Sequence, residues 1–148
     1  MNAIPDAPAA IEELSRLAKT VVHDLDRAVA AQLDGMTVPQ WHVLSALAGG
    51  QGRAMSALAA ATLLPGPSLT RLIDGMVEDN LVLRKVDVAD RRRVLVYQTR
   101  RGAAAHQRAR NRLAKSEELG DLMARHADVS VKLGEVLAAL RGQDFAPA

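Results

Sequence analysis

Asp90-Arg91-Arg92-Arg93 sets one carboxylate beside three consecutive guanidinium groups. Adjacent like charges repel unless something anionic compensates them, so the segment suits an extended anion. Arginine's planar fork matches both phosphate oxygens and the edge of guanine. A further guanidinium, Arg71, follows Ser68 and Thr70, short hydroxyl side chains suited to phosphate oxygens or base edges. For Ser68 the alternative is plain helix capping. No Ser/His/Asp arrangement, carboxylate pair or phosphate-cradling glycine loop stands out, and no enzymatic activity is expected. His23, His42, His106 and His126 raise the question of a metal. His23, Asp24 and Asp26 lie close in sequence but face different ways on a helix, and there is neither a cysteine nor a His-Glu-x-x-His pattern. No metal and no cofactor are expected.

The net charge of +2 is unevenly divided. Residues 84–112 hold ten Lys/Arg against Asp87 and Asp90, a local balance of +8 that leaves −6 for the rest. Such asymmetry concentrates positive potential on one region, as an anion-binding surface requires. The 148 residues suffice for one domain with a proper core. With only Trp41, Tyr97 and Phe145 as aromatics, that core must pack through Leu, Val and Ala, which favours helices over a β-sandwich. The absence of cysteine excludes disulfides and thiol redox sensing. No apolar run approaches the ~20 residues that span a bilayer, and no secretory signal opens the chain, so a cytoplasmic protein is expected.

The elements that must position these groups follow from periodicity. Residues 1–9, with two prolines, read as a loose tail. Ile11, Leu14, Leu17, Val21, Leu25, Val29 and Leu33 form a helical stripe. Thr37-Val38-Pro39-Gln40 has capping-box spacing and opens a second helix that Gly49 and Gly50 end. A short Ala-rich helix is predicted near 55–63. After the Pro65-Gly66-Pro67 turn, with Gly66 as N-cap and Pro67 at the first helical position, a helix buries Leu69, Leu72, Ile73 and Met76. Asn80 suits a left-handed residue after that helix. Leu81–Val86 and Val94–Gln98 read as two strands of a hairpin, with the arginine-rich loop at its tip. Helix resumes after Thr99 to about Ala124. A last helix carries Val129, Leu133, Val136, Leu137 and Leu140.

This order is mainly α with a small β-hairpin wing, a winged helix-turn-helix flanked by terminal helices whose apolar stripes lack a partner within the module. The residues carry a resemblance over about 37–106. Thr37-Val38-Pro39-Gln40-Trp41-His42-Val43-Leu44, Ser56-Ala57-Leu58-Ala59, Pro67-Ser68-Leu69-Thr70-Arg71-Leu72-Ile73-Asp74 and Leu81-Val82-Leu83-Arg84 stand in order, followed by the Asp-x-Arg pair Asp90 and Arg92. The chain resembles the MarR/SlyA family of dimeric transcription regulators. It departs from that pattern at Pro65 and Gly66 in the turn, at Gly75, where a basic residue is common, and at Gln98, where leucine is usual. Arg71 is then the one cationic side chain of the recognition helix, which throws more of the binding onto the wing.

The resemblance implies a single domain over 1–148, with a winged helix-turn-helix lobe at 37–102 and dimerisation helices at 10–36 and 103–145. It implies a sequence-specific, homodimeric repressor on a palindromic promoter site in double-stranded DNA, released by a small aromatic acid. The alternative is a winged-helix protein-interaction module without specific DNA binding. In the first reading Ser68, Thr70 and Arg71 meet the major groove. In the wing, Asp90 holds Arg92, Arg91 enters the minor groove and Arg93 meets phosphate. Trp41, with His42 and His23, would border the effector, although ordinary core packing is the better account of a tryptophan there.

Overall fold

The structure is a computed structural model and describes residues 6–143. Phe145 and the end of the expected segment 103–145 lie outside the described residues. The described chain divides into two compact units between Leu113 and Ala114.

The first unit opens with α1, Ala7–Ala30, which begins earlier than its apolar stripe predicts. Pro8 sits in the first turn, where the N–H groups have no helical partner in any case, so residues 7–9 are helical rather than a tail. The helix buries only Ala28 and Val29. Its stripe stays in the open, with Ile11 65% exposed. The helix stops short of Leu33, which is buried in a turn that Asp34 and Gly35 make with φ of 52° and 88°.

Helix α2, Val38–Ala46, starts as its sequence predicts. The Thr37 hydroxyl accepts the Gln40 N–H at 3.2 Å, and the Gln40 side chain accepts the Thr37 N–H at 3.0 Å. Strand β1, Arg53–Ala54, and helix α3, Met55–Thr62, follow. Then come α4, Gly66–Glu78, the strands β2, Val82–Val86, and β3, Val94–Gln98, and α5, Arg100–Ala114. The sheet is antiparallel in the order β1-β3-β2. Val82 pairs with Gln98 and Val86 with Val94, while Arg53 pairs with Val96. The expected two-stranded hairpin is thus a three-stranded sheet. Val43, Leu44 and Leu47 of α2, Leu58 of α3, Leu69, Ile73 and Met76 of α4, and Val82 and Val96 of the sheet form one buried cluster.

In the second unit Ser116 interrupts the helix expected to run on to Ala124. Its hydroxyl accepts the Leu119 N–H at 3.3 Å and starts α6, Glu117–Ala124. Glu117 and Glu118 in the first turn suit the positive end of the helix dipole. Helix α7, His126–Arg141, leaves Leu133, Val136, Leu137 and Leu140 exposed. Among the described residues no helix is long and apolar enough to cross a membrane.

Candidate nucleic-acid interface

Helix α4 turns Leu69, Ile73 and Met76 into the core and leaves Ser68, Thr70, Arg71, Asp74 and Glu78 exposed. Its N-cap is Pro65, one residue before the predicted Gly66, so Pro67 falls at the second helical position. No side chain caps this end. Ser68 therefore does not spend its hydroxyl on capping, and the first-turn N–H groups of Gly66 and Ser68 point at whatever anion the helix meets. The Thr70 hydroxyl donates to the Gly66 carbonyl at 3.0 Å, which leaves it to act on a ligand as an acceptor. The far end closes as predicted, with Asn80 at φ 57°. The Asn80 N–H bonds to Val77 at 3.0 Å and the Leu81 N–H to Met76 at 2.9 Å, a Schellman closure.

Asp74, on the exposed side of α4, forms an ion pair and hydrogen bond with Arg84 of β2. The charge count over residues 84–112 does not disclose this pair, because a ten-residue separation across a turn leaves no local signal. The pairing neutralises a carboxylate on the face of α4 that carries Arg71.

In the wing, the Asp87 N–H bonds to the Arg93 carbonyl at 2.8 Å and closes the loop 87–93. Asp90 accepts the Arg92 backbone N–H on its carboxylate at 3.1 Å, and its carbonyl accepts the Arg93 N–H at 3.0 Å. Asp90 thus holds Arg92 through the main chain; among the described residues no ion pair joins the two side chains. Arg91, Arg92 and Arg93 are all exposed, so three guanidiniums, and not only Arg91, project from a stiffened loop. At its base the Tyr97 ring packs so closely over Gly52 that a Cβ there would collide with it, and Lys85 Nζ lies 5.5 Å from the ring centre. Gln98 buries its side-chain oxygen without a hydrogen-bond partner, which is the cost of a polar residue at that place.

The residues expected around an effector are dispersed in character. His23 is exposed on α1, its Nδ1 3.0 Å from the Asp24 carboxylate. Trp41 and His42 are half-buried with ring centres 5.1 Å apart, and Trp41 Nε1 is buried without a partner. A cleft of about 380 Å³ is lined by Asp34, Gly35, Met36, Gln40, Asp79, Leu81, Arg101, Ala105 and Arg108, and by none of those three. His106, which the sequence offered only as a metal candidate, is buried on α5. Loss of hydration, with the nearby Arg110 charge, holds its pKa below the usual histidine value. Among the described residues no group of three or more His, Asp or Glu side chains is placed to hold a metal ion.

Comparison with known proteins bears on this arrangement. A model of the MarR family matches residues 34–93, which hold α2 to α4, β2 and the wing loop. Wild-type MarR from E. coli, in its apo form, is 25% identical and superposes with a TM-score of 0.66 over 86% of this chain and 96% of its own. Residues 34–93 thus match the MarR family, and the chain shares the winged-helix fold of MarR. S. aureus MepR in its DNA-binding conformation shares the MarR fold with a TM-score of 0.71, at 22% identity over 86% of this chain and 98% of MepR. The repressor CouR, bound to a 23-mer DNA duplex, shares it with a TM-score of 0.68, at 20% identity over 93% and 99% of the two chains. A sequence search of curated proteins gives no match. The match to the MarR family over residues 34–93 supports a DNA-binding transcription regulator.

Proposed function

We propose that the protein represses transcription as a homodimer on a palindromic site, with one α4 in each of two successive major grooves and the wings beside them. The observation that carries this reading is the joint exposure of Arg71 on α4 and of Arg91, Arg92 and Arg93 on the wing, on one folded lobe. A MarR variant from E. coli has been seen complexed with operator DNA and superposes with a TM-score of 0.70, in keeping with such a use of the lobe. Ser68 and the first-turn N–H groups of α4 meet phosphate, Thr70 and Arg71 meet base edges, and the wing arginines meet the minor groove and its phosphates. Support for dimerisation comes from the apolar stripes of α1 and α7, which lie open to water along helices that bury little else. A second copy removes that area from solvent. Such a regulator works in the cytoplasm, where the DNA is.

The effector is a small aromatic acid. Support comes from Trp41, whose buried, unpartnered N–H offers a donor to a carboxylate or phenolate, beside the His42 ring. His23, exposed and bonded to Asp24, adds nothing visible to such a site. Titration of simple aromatic carboxylates and phenols, read by Trp41 fluorescence and by release of bound DNA, tests it. Repression itself is tested by binding to promoter fragments, where weak, sequence-indifferent association would favour a winged-helix protein-interaction module instead.

A further inference from the structure

The turn between α3 and α4 holds a residue that works against the stability of the fold. Leu63, the C-cap of α3, has φ 56° and ψ 23°, in the left-handed region. A Cβ there crowds the following carbonyl. Asp34 and Asn80, the other non-glycine residues with positive φ among the described ones, are short polar types that tolerate it. Leucine is not, and this leucine is 86% exposed, so packing returns nothing for the strain.

The turn around it is rigid. The Leu63 N–H bonds to the Ala59 carbonyl at 2.8 Å. The Thr62 hydroxyl donates to the Leu58 carbonyl at 2.8 Å and accepts the Leu64 N–H at 3.4 Å. Leu64 packs against the core, and Pro65 fixes its own φ. Leu63 is therefore held outward in one direction. It stands three residues before Gly66, within about 11 Å of the start of α4 even for a fully extended chain. The major groove is about 12 Å wide. With α4 in that groove, a residue this close to the start of the helix is within reach of the groove wall.

We infer that Leu63 is an apolar DNA contact, seated against deoxyribose carbons or a thymine 5-methyl group where the groove receives the start of α4. This rests on the DNA-binding reading above. The burial that the folded chain denies this side chain is then supplied by the complex.

The test uses the full chain and the DNA fragment that the wild type selects from a genomic pool. Leu63→Asn relieves the strained backbone, so it should unfold at equal or higher urea concentration than wild type while binding the fragment about five- to tenfold more weakly. Leu63→Met should keep near-wild-type affinity. Replacing the thymines of the half-site by deoxyuridine separates the two apolar partners: a matching loss with wild type, absent with Leu63→Asn, assigns the methyl group, and no loss assigns the sugar. Undiminished binding by Leu63→Asn overturns the inference while leaving DNA binding intact. If it came with lost repression, Leu63 would belong to a protein contact. A wild type that selects no sequence overturns the inference together with the reading beneath it.

Discussion

The Thr99 hydroxyl donates to the main-chain carbonyl of Asn80 at 2.6 Å. It also accepts the Gly102 N–H at 2.9 Å, and the Thr99 N–H bonds to the Leu81 carbonyl at 3.1 Å. Asn80 ends α4 and Thr99 starts α5, so one side chain pins α4 to the next helix across the base of the wing. Gly102 makes this possible, because a Cβ there would collide with the Leu81 carbonyl.

Thr99→Val keeps the shape and removes both side-chain bonds. We expect a loss of about 1–2 kcal/mol in urea unfolding, with Thr99→Ser retaining most of the stability. Equal behaviour of the valine and wild-type proteins would show that the clamp is incidental.

What the sequence disclosed divides along the line between local and non-local causes. The Thr37–Gln40 box, the left-handed Asn80 and the outward set Ser68, Thr70 and Arg71 were legible, because each depends on neighbours within a turn of helix. Strand β1 was not. Two residues, Arg53 and Ala54, become a strand only by pairing with Leu95 and Val96, some forty positions away. The Asp74–Arg84 pair and the burial of His106 likewise need the tertiary fold. The break at Ser116 was legible in principle, as a serine followed by two glutamates, but an unbroken Ala-, Arg- and Leu-rich pattern on both sides concealed it.

The Asp74–Arg84 pair leads to opposite outcomes for its two members. Both side chains are substantially exposed, so either truncation should change folding stability by no more than about 1 kcal/mol. Asp74→Ala frees Arg84 beside the groove and should tighten DNA binding, steepening the log–log salt slope by about one. Arg84→Ala leaves an unpaired carboxylate facing phosphate and should weaken it. Changes of the same sign in filter-binding titrations would sink this assignment.

His106 sets a pH dependence whose sign is fixed by its burial. Its folded pKa lies below the unfolded value of about 6.5. Above that value both states hold the neutral ring and the group has no effect. As pH falls below it, the unfolded chain takes up the proton first, and stability declines until the folded pKa is passed. Urea midpoints at pH 7.5 and 5.5 should therefore differ more for wild type than for His106→Gln. An identical drop in both proteins would place the acid sensitivity elsewhere.

Arg71 and Arg91 should separate by role. Arg71→Ala is expected to cost about 1–3 kcal/mol of binding and to relax preference at one base position per half-site. Arg91→Ala should lower affinity and blunt the preference for A·T-rich flanks, tempered by Arg92 and Arg93, which project from the same loop. Asp90→Ala removes the bond that holds the Arg92 N–H and should reproduce part of the Arg91 effect. Binding-site selection repeated with each variant reads this out, and uniform, sequence-independent losses would reassign both arginines to phosphate.

The most direct test is selection of genomic fragments by the purified full chain, followed by titration of the best fragment and a scrambled copy over a range of salt. The predicted result is an inverted repeat with half-site centres about 10 base pairs apart, bound about a thousandfold more tightly than the scrambled copy, with affinity falling steeply as salt rises. No enriched sequence, and equal affinity for both duplexes, would contradict the account.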